Sequence, residues 1–269
     1  MSYASIMVAV DLGEQSRGRV RLAGHLADDF KARLIGVAAE MPAYEAVPVG
    51  PTLGGGYCMA SVQEAVVNDL RLAHENFKEA AGVRSRVEWR SNLDVPLAFL
   101  TRQAAAADLV VIGRGDDGNP LLSVHPGDAV LQLGRPVLVV PPNIDHVEAR
   151  RIAIGWKNTR EARRAVWDAL PFLKRASHVV VLSIDDGRGA ADSQALLGFL
   201  QAHDVEATAV QKDAYGAGTA EALVDAASEQ AADLIVTGGY GHGRLREWAF
   251  GGVTRDLLAS CPVCCLMSH

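Results

Sequence analysis

Short apolar runs alternate with helix-like stretches along the whole chain, and this alternation limits the folds open to it. The runs hold four to seven residues and cover 6–10, 34–38, 83–89, 109–112 and 137–140, then 152–156, 179–184, 205–210, 234–237 and 263–267. The clearest helical stretches between them are 15–29, 61–81, 159–175 and 219–229. Short buried strands that alternate with helices are typical of βαβ units around a parallel sheet. The pattern therefore predicts an α/β fold.

The two halves of the chain carry the same landmarks in the same order. Residues 107–113 read ADLVVIG and 232–238 read ADLIVTG, while 135–140 read RPVLVV and 261–266 read CPVCCL. Two matches at nearly the same offset indicate an internal duplication. The polar, proline-started segment 141–146 would join the copies. We predict two tandem Rossmann-like domains, residues 1–142 and 150–269, each with a five-stranded parallel sheet.

The last apolar run of each half could present a sheet edge, at residues 136–140 and 262–266. Pairing of these edges within one chain would make a pseudo-dimer of the two domains, and further pairing of chains would make a homodimer. The proline- and glycine-rich segment 41–59 also carries several apolar residues. It is either a surface loop or an arm that reaches a protein partner.

A glycine-rich stretch follows the apolar run that ends at Thr237. Glycines stand at 238, 239, 241 and 243, and a second pair stands at 251 and 252. A chain that leaves a buried strand through glycines and enters a helix exposes backbone N–H groups, and the positive end of the helix dipole adds to them. Phosphate is the commonest biological anion for such a site. The stretch therefore indicates a nucleotide.

Composition excludes several classes of function. The formal net charge of −6 argues against a nucleic-acid binder, which needs a basic surface. No apolar run approaches the roughly 20 residues that span a bilayer, and the first ten residues lack the pattern of a signal peptide. We expect no membrane association and a cytoplasmic location.

The four cysteines, at 58, 261, 264 and 265, do not suggest a disulfide framework in a chain of this length. The spacing of Cys261, Cys264 and Cys265 superficially resembles half of a metal site, but 264 and 265 fall inside an apolar run. No second pair of ligands with suitable spacing is visible. We interpret them as small buried hydrophobic residues and predict no metal site.

The second half resembles the universal stress protein family. Nucleotide-binding members of that family carry Gly-x2-Gly-x9-Gly followed by Ser or Thr after the fourth strand, and Gly238, Gly241 and Gly251 have this spacing. The stretches 159–173, 240–247, 251–254 and 266–269 also look like bacterial members, and residues 8–11 with Ser16 resemble the family's opening strand and loop. The resemblance extends over nearly the whole chain in a tandem arrangement.

The resemblance implies that ATP or another adenine nucleotide, with or without Mg²⁺, binds mainly in the second domain. The backbone around the glycines would hold the phosphates, a hydroxyl would assist, two basic side chains could contact phosphate, and the ends of the first two strands would shape the base and ribose pocket. The implied residues are Gly155, Lys157, Thr159, Ile184, Gly238, Gly241, His242, Gly243, Arg244, Gly251, Gly252, Val253 and Thr254, with Asp11 as the corresponding acidic residue of the first half.

Two departures from the family pattern affect the second half. Lys157 stands where the family has an acidic residue that contacts the adenosine portion, and a lysine cannot accept a hydrogen bond. It would meet a phosphate as a point charge or face solvent. Gly252 replaces the usual hydroxyl residue, and Thr254 lies close enough to take that role. These changes should weaken anion binding rather than abolish it.

The first half departs further from the pattern. Gly115 and Gly118 have the first spacing, but the third position is Asp128, with Gly127 one residue early. Acidic residues there would repel phosphates, and Pro126 removes a backbone donor. We predict that this half does not hold ATP in the family's manner, and that Asp11 is a relic or a turn residue.

Three functions remain open at this point. The first is a nucleotide-binding stress protein that acts by ligand-dependent regulation. The second is a scaffold or partner-binding protein without a nucleotide. The third is a slow ATPase, in which His242 would orient a water. No catalytic residue is predicted, because the chain carries no readable local catalytic motif.

Overall fold

The computed structural model describes residues 2–42, 55–114, 121–185, 193–214, 218–241 and 252–269, with backbone alone for 55–60. Ten strands and eight α-helices alternate along these segments. The strands are β1 (Ser5–Ala9), β2 (Arg33–Glu40), β3 (Val87–Leu93), β4 (Leu109–Gly113), β5 (Val137–Val140), β6 (Arg151–Gly155), β7 (His178–Asp185), β8 (Thr208–Asp213), β9 (Leu234–Gly238) and β10 (Cys264–Ser268). The helices are α1 (Ser16–Phe30), α2 (Gly55–Ala81), α3 (Pro96–Gln103), α4 (Pro126–Gln132), α5 (Arg160–Leu173), α6 (Gln194–Ala202), α7 (Thr219–Glu229) and α8 (Gly252–Ser260), and a 3₁₀ turn covers Ala104–Ala106.

The ten strands form one sheet in the order β3-β2-β1-β4-β5-β10-β9-β6-β7-β8. Each half contributes five parallel strands in the same relative order, which confirms the predicted α/β fold and its duplication. Strands β5 and β10 are antiparallel and join the halves, with Leu138 opposite Leu266. Val139 pairs with Cys265, its counterpart in the sequence repeat, so a pseudo-two-fold axis passes between them. The predicted edge pairing is thus made within the chain, as a pseudo-dimer.

Helices cover both faces of the sheet, as a parallel sheet requires. Helices α1, α2, α5 and α6 pack on one face, and α3, α4, α7 and α8 pack on the other. Alternate strand residues face opposite sides: Ile152 and Ile154 belong to the first apolar cluster, and Ala153 belongs to the second. The strands read as continuous apolar runs because both faces are buried.

An aromatic cluster ties the two halves together on the first face. The rings of Tyr3, Phe30 and Phe172 meet edge to face, with centroids 5.0–5.5 Å apart. The Tyr3 hydroxyl donates to the Asp168 carbonyl at 2.6 Å, and burial raises the pKa of this phenol well above its usual value. The guanidinium of Arg175 lies 4.7 Å above the Phe30 ring. These contacts join α1 to α5 across the repeat.

Two predicted strands are shifted in the structure. Strand β3 begins at Val87 rather than 83, because Arg84 bonds to Asp28 and to the Ala81 carbonyl and so ends α2 before the strand. Strand β8 begins at Thr208 rather than 205, because the Val205 N–H closes α6 by donating to Leu200 at 3.0 Å. Val205 is apolar because it is buried in the first cluster, whereas Val83 is fully exposed and precedes the polar residues 84–86.

The other helical predictions were incomplete. Helices α3, α4 and α6 were not among the predicted helical stretches, and α8 was expected only as a helix after the glycines, without bounds. Helix α2 begins at Gly55, inside the segment interpreted as loop or arm. Residues 43–54 of that segment lie outside the described residues. Within the segments that the structure describes, no helix is both long enough and apolar enough to span a bilayer.

Candidate functional site

A cleft of about 470 Å³ opens in the second half where β6, β7 and β9 reach their carboxyl ends. The chain leaves β6 in one direction toward β7 and β8, and β9 and β10 lie on the other side. Ligands of open α/β sheets bind at such a switch in strand order. The first turns of α7 and α8 form the opposite wall of the cleft.

The structure brings together most of the residues predicted to form the site. Nine of them line this cleft: Gly155, Lys157, Thr159, Ile184, Gly238, Gly241, Gly252, Val253 and Thr254. They come from four separate segments of the chain. His242, Gly243, Arg244 and Gly251 lie outside the described residues. Asp11 belongs to the first half and does not line the cleft.

The glycines that line the cleft differ in whether the surrounding structure leaves room for a side chain. A Cβ on Gly238 would lie 2.5 Å from the Ala162 nitrogen and 2.7 Å from the Glu161 carbonyl carbon, so this position lets β9 approach α5. A Cβ on Gly155 would lie 2.8 Å from Leu223 Cδ2. At Gly252 the nearest atom would be Asp256 Oδ2 at 3.6 Å, so this position has room for a side chain. Packing therefore requires the glycine at 238 and does not require it at 252.

The first turn of α5 forms the base of the cleft under Gly241. Thr159 caps this helix, and its hydroxyl accepts the Ala162 N–H at 3.2 Å. The Glu161 side chain is 5% exposed and pairs with Arg160. Burial acts to raise the pKa of Glu161, but hydrogen bonds from Arg160 and from its own backbone N–H outweigh it and hold the pKa below its usual value. The carboxylate is therefore charged near neutral pH, beneath Gly241.

Hydrogen bonds from the backbone of Gly239 and Tyr240 fix the start of the glycine turn. The Tyr240 N–H donates to Thr254 Oγ1 at 3.1 Å, and the Gly239 N–H donates to the Ser268 carbonyl at 2.8 Å. Thr254 is buried, so its hydroxyl oxygen holds the turn against α8. The sequence suggested a phosphate contact for this hydroxyl, and in the structure its oxygen accepts the backbone N–H of Tyr240.

Two charged side chains line the cleft among the described residues. Lys157 follows β6 and is exposed, and Asp256 lies one turn into α8. The Asp256 carboxylate is 47% exposed and pairs with Arg255 at 3.2 Å. An anion in the cleft would be attracted by Lys157 and by the N-terminus of α8, and repelled by Asp256 and the buried Glu161.

The sequence did not single out several lining residues. Leu182, Leu223, Trp156, Ala162, Gly218, Thr219, Ala220, Thr237 and Asp256 also face the cleft. The available signal was topological: α7 follows the edge strand β8, so its first turn must lie at the carboxyl edge of the sheet. The apolar character of Leu182 and Leu223 hid this role, because core residues look the same in sequence.

At the corresponding strand ends of the first half, after β1 and β4, an arginine side chain is buried. Arg19 is 5% exposed, its Nη2 donates to Asp11 Oδ2 at 2.6 Å, and its Nε donates to the Ala9 carbonyl at 3.0 Å. A Cβ on Gly113, the counterpart of Gly238, would lie 2.3 Å from Arg19 Nη1. Asp11 Oδ1 also accepts the Gly13 N–H at 2.9 Å, so Asp11 is a turn residue and the partner of a buried cation.

Comparison with known proteins agrees with this architecture. The model of the universal stress protein family matches residues 148–269. No match was found among curated proteins. A universal stress protein from Archaeoglobus fulgidus DSM 4304 is 17% identical, with 98% of this chain and 97% of that chain covered and a TM-score of 0.67. A functionally unknown protein from Pseudomonas aeruginosa PAO1 is also 17% identical, with 99% and 92% covered and a TM-score of 0.52.

At these identities the two solved structures establish the fold. A universal stress protein solved in complex with cAMP is 28% identical over 52% of this chain and 98% of its own, with a TM-score of 0.35. The family match covers the half that contains the cleft, and the duplicated sheet extends the same fold over the rest. Residues 148–269 therefore match the universal stress protein family, and the first half repeats the same α/β fold in tandem.

Proposed function

We propose that this chain binds an adenine nucleotide, with ATP as the first candidate, in the cleft of its second half, and that occupancy regulates a stress response. One observation carries the proposal: nine residues predicted from a sequence motif and its surroundings, in four separate segments, line a single cleft at the switch point of the sheet. Ligands of such sheets bind at this place.

The two ends of the cleft suit the two ends of a nucleotide. Leu182, Ile184 and Leu223 offer apolar surface to a base. The N-terminus of α8 and Lys157 offer backbone donors and positive charge to phosphate. Glu161 carries negative charge next to Gly241, so the proposal places the phosphates toward Lys157 and the first turn of α8. Asp256 lies further along α8, where Arg255 pairs with its carboxylate.

Any Mg²⁺ in this proposal arrives with the phosphates. Among the described residues, no group of three His, Cys, Asp or Glu side chains could hold a metal ion. A nucleotide phosphate commonly supplies the missing oxygen ligands for Mg²⁺. Hydrolysis is not part of the proposal, and His242, which a slow ATPase would need, lies outside the described residues.

Replacing Gly241 by valine tests the site directly. The new Cβ would lie 3.2 Å from Glu161 Oε2, a side-chain atom that can shift, so the fold should remain while the branched side chain enters the cleft. We expect the affinity for ATP to fall at least about tenfold, equivalent to ~1.4 kcal/mol. Isothermal titration calorimetry with ATP and Mg²⁺ measures this, after mass spectrometry of ligands released from the purified wild-type protein.

Gly198→Val is the matched control, because a Cβ there meets nothing within 4 Å and Gly198 lies in α6, away from the cleft. It should bind as the wild type does. A wild-type protein that releases no nucleotide and binds none would refute the proposal and favour a scaffold. Equal affinity of a folded Gly241→Val variant would place any nucleotide elsewhere.

Replacing Lys157 by methionine separates phosphate binding from base binding. We expect a roughly two- to fivefold loss of affinity for ATP, as for one exposed charge pair, and little change for adenosine. The loss should shrink as the salt concentration rises. Lys174→Met removes the same charge at the other end of α5 and should leave both affinities unchanged. An equal loss for adenosine would show that Lys157 does not act on phosphate.

The first half is a structural partner in this proposal. The Asp11 carboxylate is engaged by the buried Arg19 at the ends of β1 and β4, and this supports the prediction that the first half does not hold ATP in the family's manner. The proposed stoichiometry is therefore one nucleotide per chain.

A further inference from the structure

Two cysteine thiols face each other just beyond the C-terminal end of α8. The Sγ atoms of Cys261 and Cys265 are 3.2 Å apart, in the apolar cluster on the α8 face of the sheet. The Cys261 N–H donates to the Leu257 carbonyl at 3.0 Å and thereby continues α8, while Cys265 is fixed in β10 between β9 and β5. A disulfide bond would need roughly 1 Å of approach between the sulfurs.

Arg114 of the first half reaches this thiol pair. Its guanidinium donates to the Cys261 carbonyl, and its backbone N–H donates to Val140 at 2.9 Å. The hydrogen bond from the Cys265 thiol lowers the pKa of Cys261 to about 7, and the positive charge of Arg114 acts in the same direction, against burial. A substantial fraction of Cys261 is then thiolate near neutral pH, which is the reactive form of cysteine.

The adjacent Cys264 has a different environment. Its side chain belongs to the apolar cluster on the opposite face of the sheet. Burial raises the pKa of Cys264 to about 12, so this thiol stays protonated. Cys264 therefore serves as an internal control for the reactivity of the Cys261 and Cys265 pair.

We propose that Cys261 and Cys265 form a redox-active dithiol, which hydrogen peroxide converts into an intramolecular disulfide. The Cys261 thiolate attacks one peroxide oxygen and the O–O bond breaks, so that Cys261 becomes a sulfenic acid. The departing hydroxide takes up the proton that the Cys261 thiol had released and becomes water. The Cys265 sulfur then attacks the Cys261 sulfur, the S–O bond breaks, and the oxygen leaves as water with the Cys265 proton. In sum, two thiols and one peroxide give one disulfide and two waters.

Burial restricts the oxidant to a small molecule, since both cysteines are 2% exposed. Glutathione disulfide should therefore react far more slowly than hydrogen peroxide. The inference does not depend on the nucleotide site, although α8 connects the two: its first turn lines the cleft and its last residue precedes Cys261.

The test uses the full chain with Cys58→Ala, which removes the cysteine outside the last fifteen residues. Reduced protein is treated with hydrogen peroxide, and the intact mass should fall by about 2 Da, the loss of two hydrogens. Trypsin releases residues 256–269, which contain all three remaining cysteines. In the tandem mass spectrum of this peptide, a Cys261–Cys265 disulfide holds together the two pieces made by any backbone cleavage between those residues, so their fragment ions are missing. The bond can therefore be assigned without replacing any of the three cysteines.

Variants complete the test. The 2 Da loss should persist in Cys264→Ala and disappear in Cys261→Ala and Cys265→Ala. Arg114→Gln should slow the oxidation about threefold because the thiolate loses its cation. Arg86→Gln, which removes another arginine that donates to a backbone carbonyl, should not slow it. Persistence in Cys261→Ala, a bond to Cys264, or thiols that stay reduced in peroxide would each overturn the proposal.

Discussion

Replacing Asp11 by alanine is expected to lower the free energy of unfolding by about 3 kcal/mol, because it leaves the Arg19 guanidinium buried without its counter-charge. Arg19 is 5% exposed and Asp11 is 17% exposed, with 2.6 Å between Nη2 and Oδ2. The variant also loses the carboxylate that accepts the Gly13 N–H. Urea denaturation measures the change, with the slope of the transition as a check on two-state unfolding.

The control for Asp11→Ala is an exposed ion pair. Glu75 pairs with Arg71 on α2, and both side chains are more than half exposed. Glu75→Ala should cost less than about 0.5 kcal/mol. Adding Arg19→Met to Asp11→Ala should recover part of the lost stability, because no unpaired charge then stays buried. Losses that simply add in the double variant would contradict this account.

Asp11→Ala also distinguishes between a structural role and a ligand-binding role for Asp11. The family resemblance implied that an acidic residue at this position contacts the adenosine portion of a nucleotide. If Asp11 instead serves the fold, nucleotide stoichiometry and affinity should be unchanged in Asp11→Ala below its unfolding transition. A fall from two nucleotides per chain to one would show that Asp11 does contact a ligand.

Replacing Gly238 by alanine is expected to cost about 2–3 kcal/mol, the upper part of the range for overpacking. The added Cβ would lie 2.5 Å from the Ala162 nitrogen and 2.7 Å from the Glu161 carbonyl carbon. Both are backbone atoms in the first turn of α5, so neither can turn aside as a flexible side chain can. Either β9, which lies between β10 and β6, or the start of α5 has to move.

Gly198→Ala is the control for Gly238→Ala and should raise the free energy of unfolding rather than lower it. Gly198 is exposed in α6 and a Cβ there meets nothing within 4 Å, so alanine should stabilise the helix by about 0.5–1 kcal/mol. If Gly238→Ala unfolded at the wild-type denaturant concentration, the close packing of β9 against α5 would not be what requires a glycine there. The first glycine of the motif would then be explained by ligand binding alone.

The sequence predicted the strand alternation, the repeat and half of the residues that line the cleft for a common physical reason. Runs buried on both faces must be apolar throughout, and the residues that follow strands β6 and β9 lie at one edge of the sheet whatever the rest of the chain does. The glycine turn at Gly238 and Gly241 could be read from the residues themselves, whereas Gly155 and Lys157 were assigned to the same site through the family resemblance. The shifted start of β8 shows the limit, because Val205, a buried apolar residue that closes α6, looks in sequence like a residue that begins a strand.

What the sequence by itself determined was the α/β class, the duplication and the glycine turn over β9, since periodicity and spacing are local properties. The tertiary structure decided which contacts those local units make. It placed Arg19 against Gly113 and paired it with Asp11, it joined β5 to β10, and it brought Cys261 to 3.2 Å from Cys265. Each of these outcomes depends on how a side chain or strand edge finds a partner across the folded chain, and such distances are set by packing rather than by position in the sequence.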